Sequence, residues 1–324
     1  MTIEFSRNPN KFAVNKYAQI VPTKKNVGYY LNLTAEEAAR IRTVEGDEFA
    51  WPDGADAPVG NDGAESFEWL AYFCKRKAYP ATIGDLASGQ ASWDILNWHR
   101  RVKAQQAMTA RTVSTVTALT TTANYPAANT ASATTAGGGA WAGATTANLY
   151  VKKSIDYAVN VIIQGTLGVV EAEDLMLVIN PTMAKAMAES QEVVDYIKGS
   201  PMALAQIRGE LPGGNVRFGL PDTYAGVKIV VEDAVRVTSK KGATKVAAYA
   251  LATATPFIVS RPGGLVGIEG APSFSTATIF VYQKDEMTVE NKHDEDNRRT
   301  ITRVIDNFHS VVTAGVSGFA FTGA

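Results

Sequence analysis

Cysteine, histidine and net charge are all scarce in this chain of 324 residues, and each scarcity removes a class of function. The single cysteine, Cys74, cannot form an intramolecular disulfide, so no disulfide framework supports the fold. His99, His293 and His309 fall in a helical stretch, a polar turn and a strand-like run, and none has a partner at metal-ligand spacing. With 31 basic against 32 acidic side chains the formal charge is −1, so no global field recruits a polyanion or a membrane surface. No apolar run of about eighteen residues occurs, and no membrane-spanning helix is expected. The opening residues, MTIEFSRNPNK, lack the apolar stretch of a signal peptide, and synthesis in a reducing cytoplasm is the reading that follows.

Motifs with chemistry are equally sparse. The glycines of GELPGGNVRFG are not followed by Gly-Lys-Ser/Thr, and Lys241-Gly242-Ala243-Thr244 lacks the upstream glycine of a phosphate loop, so both read as turns. Asp294, Asp296 and Asn297 resemble the start of a calcium loop, but Arg298 and Arg299 stand where that loop needs a ligand and a glycine. Cys74, flanked by aromatic and basic residues, reads as an activated thiolate or, the commoner fate, as a small packed side chain, and no motif separates the two. No catalytic, cofactor-binding or metal-binding residue is assigned. One local charge excess stands out: Lys75 to Arg111 carries seven basic residues against Asp85 and Asp94; solvated faces account for it, with a phosphate-contacting surface as the sharper alternative.

What is present is an ordinary folding composition, 46% apolar and 19% charged, with short elements in irregular order. Residues 1–25 hold five basic residues against Glu4, broken by Pro9 and Pro22, and read as an extended arm. VGYYLNL (27–33) and the aromatic stretch 67–79 read as strands around a Gly, Pro and Asp loop, FAWPDGADAPVGNDGAES. Residues 91–111 read as a partly exposed helix. The next stretch, 109–147, holds 12 Thr, 12 Ala and 4 Gly and reads as a surface linker. A helix over about 148–167 begins at Asn148 as N-cap. A buried strand, DLMLVI, and a helix capped by Asn180-Pro181 that runs to Lys198 follow. Short β-rich runs and two longer strands, 276–291 and 300–312, close the chain. Mixing without regular alternation predicts an α+β fold.

In this order the segments resemble the major capsid proteins of tailed bacteriophages, of the Hong Kong 97-like fold. FAVNKYAQIVPTKKNVGYYLNL resembles the lead into that family's extended loop, and AYFCKRKAYPATIGDL its return. NLYVKKSIDYAVNVIIQGT followed by DLMLVINPTMAKAMAESQEVVDYIKGS is similar to its spine helix and the opening of its axial domain. VENKHDEDNRRTITRVIDNFHSVVTAGVSGFAFTG resembles its closing strands.

The resemblance implies an N-terminal arm (1–25), an extended β-hairpin loop region (26–90), and a peripheral domain (91–173) with the spine helix. It implies next an axial domain (174–270), peripheral strands (271–302) and a return to the axial domain (303–324). It also implies self-assembly into pentamers and hexamers of an icosahedral shell around double-stranded DNA, in the host bacterial cytoplasm. The partners implied are a separate scaffolding protein, a portal, a decoration protein and non-specific contact with packaged DNA; no cofactor, membrane or catalysis is implied. Tyr29, Tyr30, Phe67, Trp69 and Tyr72 are expected to contact a neighbouring subunit along the loop, because an isolated ribbon exposing them would be prone to aggregate. Lys11 and Lys16 are expected to do so from the arm. An encapsulin-like compartment shell is the alternative within the fold, and an unrecognised cytoplasmic enzyme the alternative outside it.

Overall fold

The computed structural model describes residues 7–33, 53, 67–212, 215–240, 242–262 and 276–324. The loop expected at 49–66 lies outside them, Asp53 excepted. By internal contacts the chain forms two units, residues 1–26 with 73–324, and residues 27–72.

The elements in the first half of the chain are α1 (Val14–Tyr17), β1 (Gln19–Thr23), β2 (Val27–Leu33), β3 (Phe67–Phe73), β4 (Lys75–Gly84), α2 (Asp85–Gln90), α3 (Ile95–Thr120), β5 (Thr130–Ala131), α4 (Ala133–Gly137) and α5 (Tyr150–Gly165). There follow β6 (Leu175–Ile179), α6 (Pro181–Glu189), α7 (Gln191–Gly199), α8 (Pro201–Arg208), β7 (Thr223–Tyr224), β8 (Val227–Val231), β9 (Val235–Val237) and β10 (Ala247–Tyr249). Strands β11 (Phe257–Ser260), β12 (Ile279–Lys284), β13 (Thr288–Asp294), β14 (Arg299–Val312) and β15 (Phe319–Phe321) close it.

Within the larger unit one sheet is built on β14. Its residues 299–305 are paired on both sides, antiparallel to β13 and to β4, while 308–312 pair with β12, which in turn takes β1 in parallel. The second sheet has the order β5-β15-β11-β6-β8-β7. Its central strands, LMLVI and FIVS, are apolar at nearly every position because both faces are covered. Leu175, Leu177, Ile179, Ile229 and Ile258 face one core with Val151, Ile155, Ala158 and Ile162 of α5. Val178, Val230, Phe257 and Val259 face a second core with Met108, Val116 and Leu119 of α3. The period of two along each strand thus divides one continuous apolar run between two cores.

Five expectations are corrected. The helix expected to end at 111 runs on to Thr120. Its buried face is Ala107, Met108, Arg111, Thr112, Thr115, Val116 and Leu119, at helical spacing, but three of these seven are polar and conceal the period. Thr112 Oγ1 donates to the Met108 carbonyl at 2.9 Å, the local bond that lets threonine sit inside a helix.

The stretch expected as a linker is packed: Trp141 is fully buried, its ring 5.4 Å from that of Phe321, and Ala133 and Ala144 share its core. Gly137 and Gly139 are there for close approach; a Cβ on Gly137 would stand 2.4 Å from the Tyr150 carbonyl oxygen. Gly138, at φ +90, closes α4.

Nor are residues 9–18 a free arm. Phe12, Val14 and Tyr17 are buried in the α3-side core, and the Arg7 amide donates to Gln105 Oε1 at 2.9 Å.

Helix α5 begins at Tyr150 rather than at Asn148, and Leu149, at φ 44, is its N-cap without a side-chain bond. Its exposed amides are satisfied from elsewhere in the fold. Glu192 on α7 accepts from Val151 N at 3.0 Å and from Lys152 N at 2.8 Å, placing a buried carboxylate at the positive helix end. The Asn180 cap stands as expected, Oδ1 accepting from Met183 N at 2.7 Å, but the helix beyond it breaks at Ser190 into α6 and α7.

Candidate assembly surfaces

The smaller unit is a two-stranded ribbon, β2 on β3. A ribbon of two strands has no second layer to cover its side chains, and Tyr29 and Trp69 remain at its surface. Tyr29 is 67% exposed and Trp69 66% exposed; Tyr30 is half-buried. Phe67 lies in β3, and its side chain is outside the described set. Tyr72 differs from Tyr29, Tyr30 and Trp69: it is buried, its ring lying where a Cβ on Gly28 would stand, 2.4 Å from the hydroxyl. Lys11 and Lys16 are exposed.

In the larger unit a second ribbon, β9 on β10, leaves Val235, Val237, Val246 and Tyr249 exposed, a cluster that sequence reading passed over as ordinary strand. Strand β13 is a sheet edge with all of its residues from Thr288 to His293 exposed.

Around the start of β4 the sequence's one charge excess takes a definite shape. Thr23 pairs with Lys284, and the Cys74 amide donates to the Asn26 carbonyl at 2.7 Å. Asn26 Oδ1 also accepts from Asn307 Nδ2 at 2.8 Å, and Asn307 pairs with Arg76, so the chain that carries Lys24 and Lys25 is held next to the start of β4. Burial first, and then Lys75 and Lys77, hold His309 below the ordinary imidazole range. Its Nδ1 accepts from the Phe73 amide at 3.2 Å, a role only the neutral ring can fill.

Asp306, on the α3 side, is committed to Arg111 through bonds of 2.6 and 3.2 Å, with Phe308 stacked under both Arg111 and Lys77. Asp306 also acts on Lys77, whose ammonium lies over the Phe308 ring at 4.2 Å and is partly buried there, whereas Lys24, Lys25, Lys75 and Arg76 are exposed. Burial raises the Cys74 thiol, the reverse of an activated thiolate.

Among the described residues no three His, Cys, Asp or Glu side chains gather as a metal site, and no helix is long and apolar enough to cross a membrane. His99 packs beside Trp98 at 4.7 Å, and His293 Nδ1 is 3.3 Å from Thr300 Oγ1. The three histidines share no site. Exposed ribbons and an open sheet edge are thus the conspicuous surface features of the described residues.

The architecture is similar to that of several solved phage and virus-like-particle structures. A phage-related protein from Bordetella bronchiseptica superposes with TM-score 0.63 at 14% identity, over 96% of this chain and 92% of its own. The mature capsid of bacteriophage PhiM1 gives 0.58 at 13%, over 99% and 89%. A virus-like particle from Pyrococcus furiosus gives 0.54 at 9%, over 97% and 94%. No protein-family model and no curated protein matches the sequence. At these identities the likeness establishes the α+β fold, carried over nearly the whole length of each chain.

Proposed function

We propose that this chain is the major capsid protein of a tailed phage, of the Hong Kong 97-like type, assembling into pentamers and hexamers of an icosahedral shell that encloses double-stranded DNA. The observation that carries the reading is the near end-to-end correspondence with a phage capsid subunit, 99% of this chain and 89% of that one. The exposed aromatic ribbon supports it, because Tyr29 and Trp69 have a use only if something covers them.

In this reading residues 27–72 are the extended loop and α5 the spine helix. The sheet built on β14 belongs to the peripheral part and the sheet built on β6 and β11 to the axial part. Tyr29, Tyr30, Phe67 and Trp69 meet an adjacent subunit, Tyr72 braces the ribbon from within, and Lys11 and Lys16 lie at a subunit boundary. A scaffolding protein, a portal and a decoration protein are the further partners, assembly takes place in the host cytoplasm, and the chain is not an enzyme.

A shell enclosing a protein cargo is the second reading, favoured by the likeness to the Pyrococcus furiosus particle. Electron microscopy of the purified protein, alone and co-expressed with scaffolding genes from its own locus, tests both. Closed shells or five- and six-membered rings are expected. Nucleic acid inside favours the phage head, and a co-purifying enzyme favours the compartment. A protein that stays monomeric under both conditions overturns the shell reading.

A further inference from the structure

Strand β13 is the outer strand of its sheet, hydrogen-bonded to β14 along one edge and to no described strand along the other. Exposed edges are ordinarily blunted by proline, a bulge or brevity. This one has none of these: its seven residues hold neither proline nor glycine and pair with β14 in unbroken register from Thr288 to Asp294. All but Asp294 are exposed, Val289 by 48%. Charge is what remains to guard the edge. Glu290 and Lys292 lie on one face of the strand, and neither is in an ion pair among the described residues.

Their placement favours one partner in one register. A twofold axis normal to the sheet keeps every side chain on its own face, so two copies of β13 can meet antiparallel only in registers centred on a residue. Centred on Asn291, Glu290 of each copy lies opposite Lys292 of the other, and Val289 lies opposite His293. Centred on Glu290, two carboxylates meet; centred on Lys292, two ammonium groups meet and Glu290 faces Asp294. A parallel pairing in register sets like against like throughout. On its own sheet Glu290 stands across from Arg303 and Lys292 across from Ile301. The joined sheet then carries a row of Arg303, Glu290, Lys292 and Ile301, with each carboxylate between two cations.

We propose that β13 is a self-pairing edge, the strand through which two copies of the chain join antiparallel about Asn291 across a twofold axis. The pairing rests on the shell reading and deepens it. Head-to-tail contacts close rings, and a closed shell also needs a contact that joins one ring to the next, which an isologous edge provides. Main-chain hydrogen bonds between the two edges give the adhesion. The charges set the register by rejecting the shifted alignments.

Two experiments read it. Asn291→Cys sets two thiols directly opposite one another, within disulfide reach across a strand pair, and the native Cys74 is buried. Mild oxidation of the assembled particles is expected to give a covalent dimer on a non-reducing gel. Val289→Cys alone gives none, because its two copies lie four residues apart along the ladder, but Val289→Cys co-assembled with His293→Cys does. For the charges, Glu290→Lys or Lys292→Glu alone puts like against like at both positions, and the yield of closed shells in sedimentation is expected to fall about tenfold or more while rings still form. Mixing the two variants restores it, since every carboxylate at 290 or 292 then meets a lysine. Each variant keeps Arg303 as its own neighbour in both samples, so the recovery reads the contact between copies and not subunit stability.

Wild-type protein that forms neither ring nor shell overturns the shell reading, and the pairing with it. Shells that form normally but give no dimer from Asn291→Cys overturn the pairing alone. So does a dimer from Val289→Cys by itself, which places the strands in another register. A yield lost in the single variants and not recovered on mixing has the same meaning. Full yield from both single variants would show charges that only keep the edge solvated, and it too overturns the pairing.

Discussion

Arg111 and Asp306 are 5% and 0% exposed at their side chains, and two bonds of 2.6 and 3.2 Å join them. A pair this deep stabilises little against an apolar substitute but is costly to halve, because the remaining charge is stranded. Arg111→Ala is expected to lower unfolding free energy by about 3–5 kcal/mol, and Arg111→Met with Asp306→Leu to recover most of that, as read by urea titration. Glu232 is a buried acid of another kind. Burial lifts its carboxyl above the ordinary 4.5, outweighing the Tyr17 hydroxyl and the Ala234 amide that donate to it. A folded-state value above the unfolded one means that its contribution is complete below the unfolded value and is lost as pH rises through the folded value. Glu232→Gln has no such loss. The melting temperature of the variant minus that of wild type should therefore increase from about pH 4 to about pH 8; a difference that falls would refute the shift. His99 and His309 titrate in both proteins and cancel from it.

At the scale of elements, helices α3 and α5 are held by contacts their own sequences do not contain. Glu192 serves as the cap of α5 from another helix and also accepts from the Tyr224 hydroxyl at 2.6 Å, which burial and this carboxylate hold well above the ordinary phenol value. Glu192→Ala removes three bonds to a charged acceptor and should cost about 3 kcal/mol, with Glu192→Gln losing less. For α3, Thr117→Pro puts a ring where an interior amide is bonded and should cost about 3 kcal/mol or more; in a linker it would cost nothing. Likewise Gly137→Ala forces Tyr150 and Ser154 away from α4 and should cost about 1–3 kcal/mol in thermal unfolding. Neutral outcomes at both positions would return 109–147 to linker status.

For the whole molecule, stability and assembly should separate by surface. Tyr29→Ser with Trp69→Ser is expected to leave the unfolding of the larger unit unchanged while lowering particle yield in sedimentation. Undiminished yield would remove the ribbon from the interface. Deleting residues 1–20 should act in the opposite manner, since Phe12, Val14 and Tyr17 leave the α3-side core and Glu232 loses its Tyr17 donor. A loss of several kcal/mol in subunit stability is the expected result, before any question of neighbours arises.

Local chemistry was enough to determine much of this. The β-rich run 27–33, the strand 175–179, the Asn180-Pro181 cap and the absence of convergent reactive groups were all legible in the residues, because strand propensity, caps and motif spacing act over a few positions. The order of segments pointed to the capsid fold for the same reason. Tertiary structure alone decided the rest. Threonine and glycine score as breakers until a partner helix covers them, so the packing of 109–147 and the full length of α3 were hidden. Glu192 lies 41 residues along the chain from Val151, in no local pattern at all: it is simply the carboxylate that folding brings to the amides of Val151 and Lys152. Strand pairing was likewise needed to bring Asn26 to Cys74 and Asn307, residues far apart in sequence that meet only when the backbone places them together.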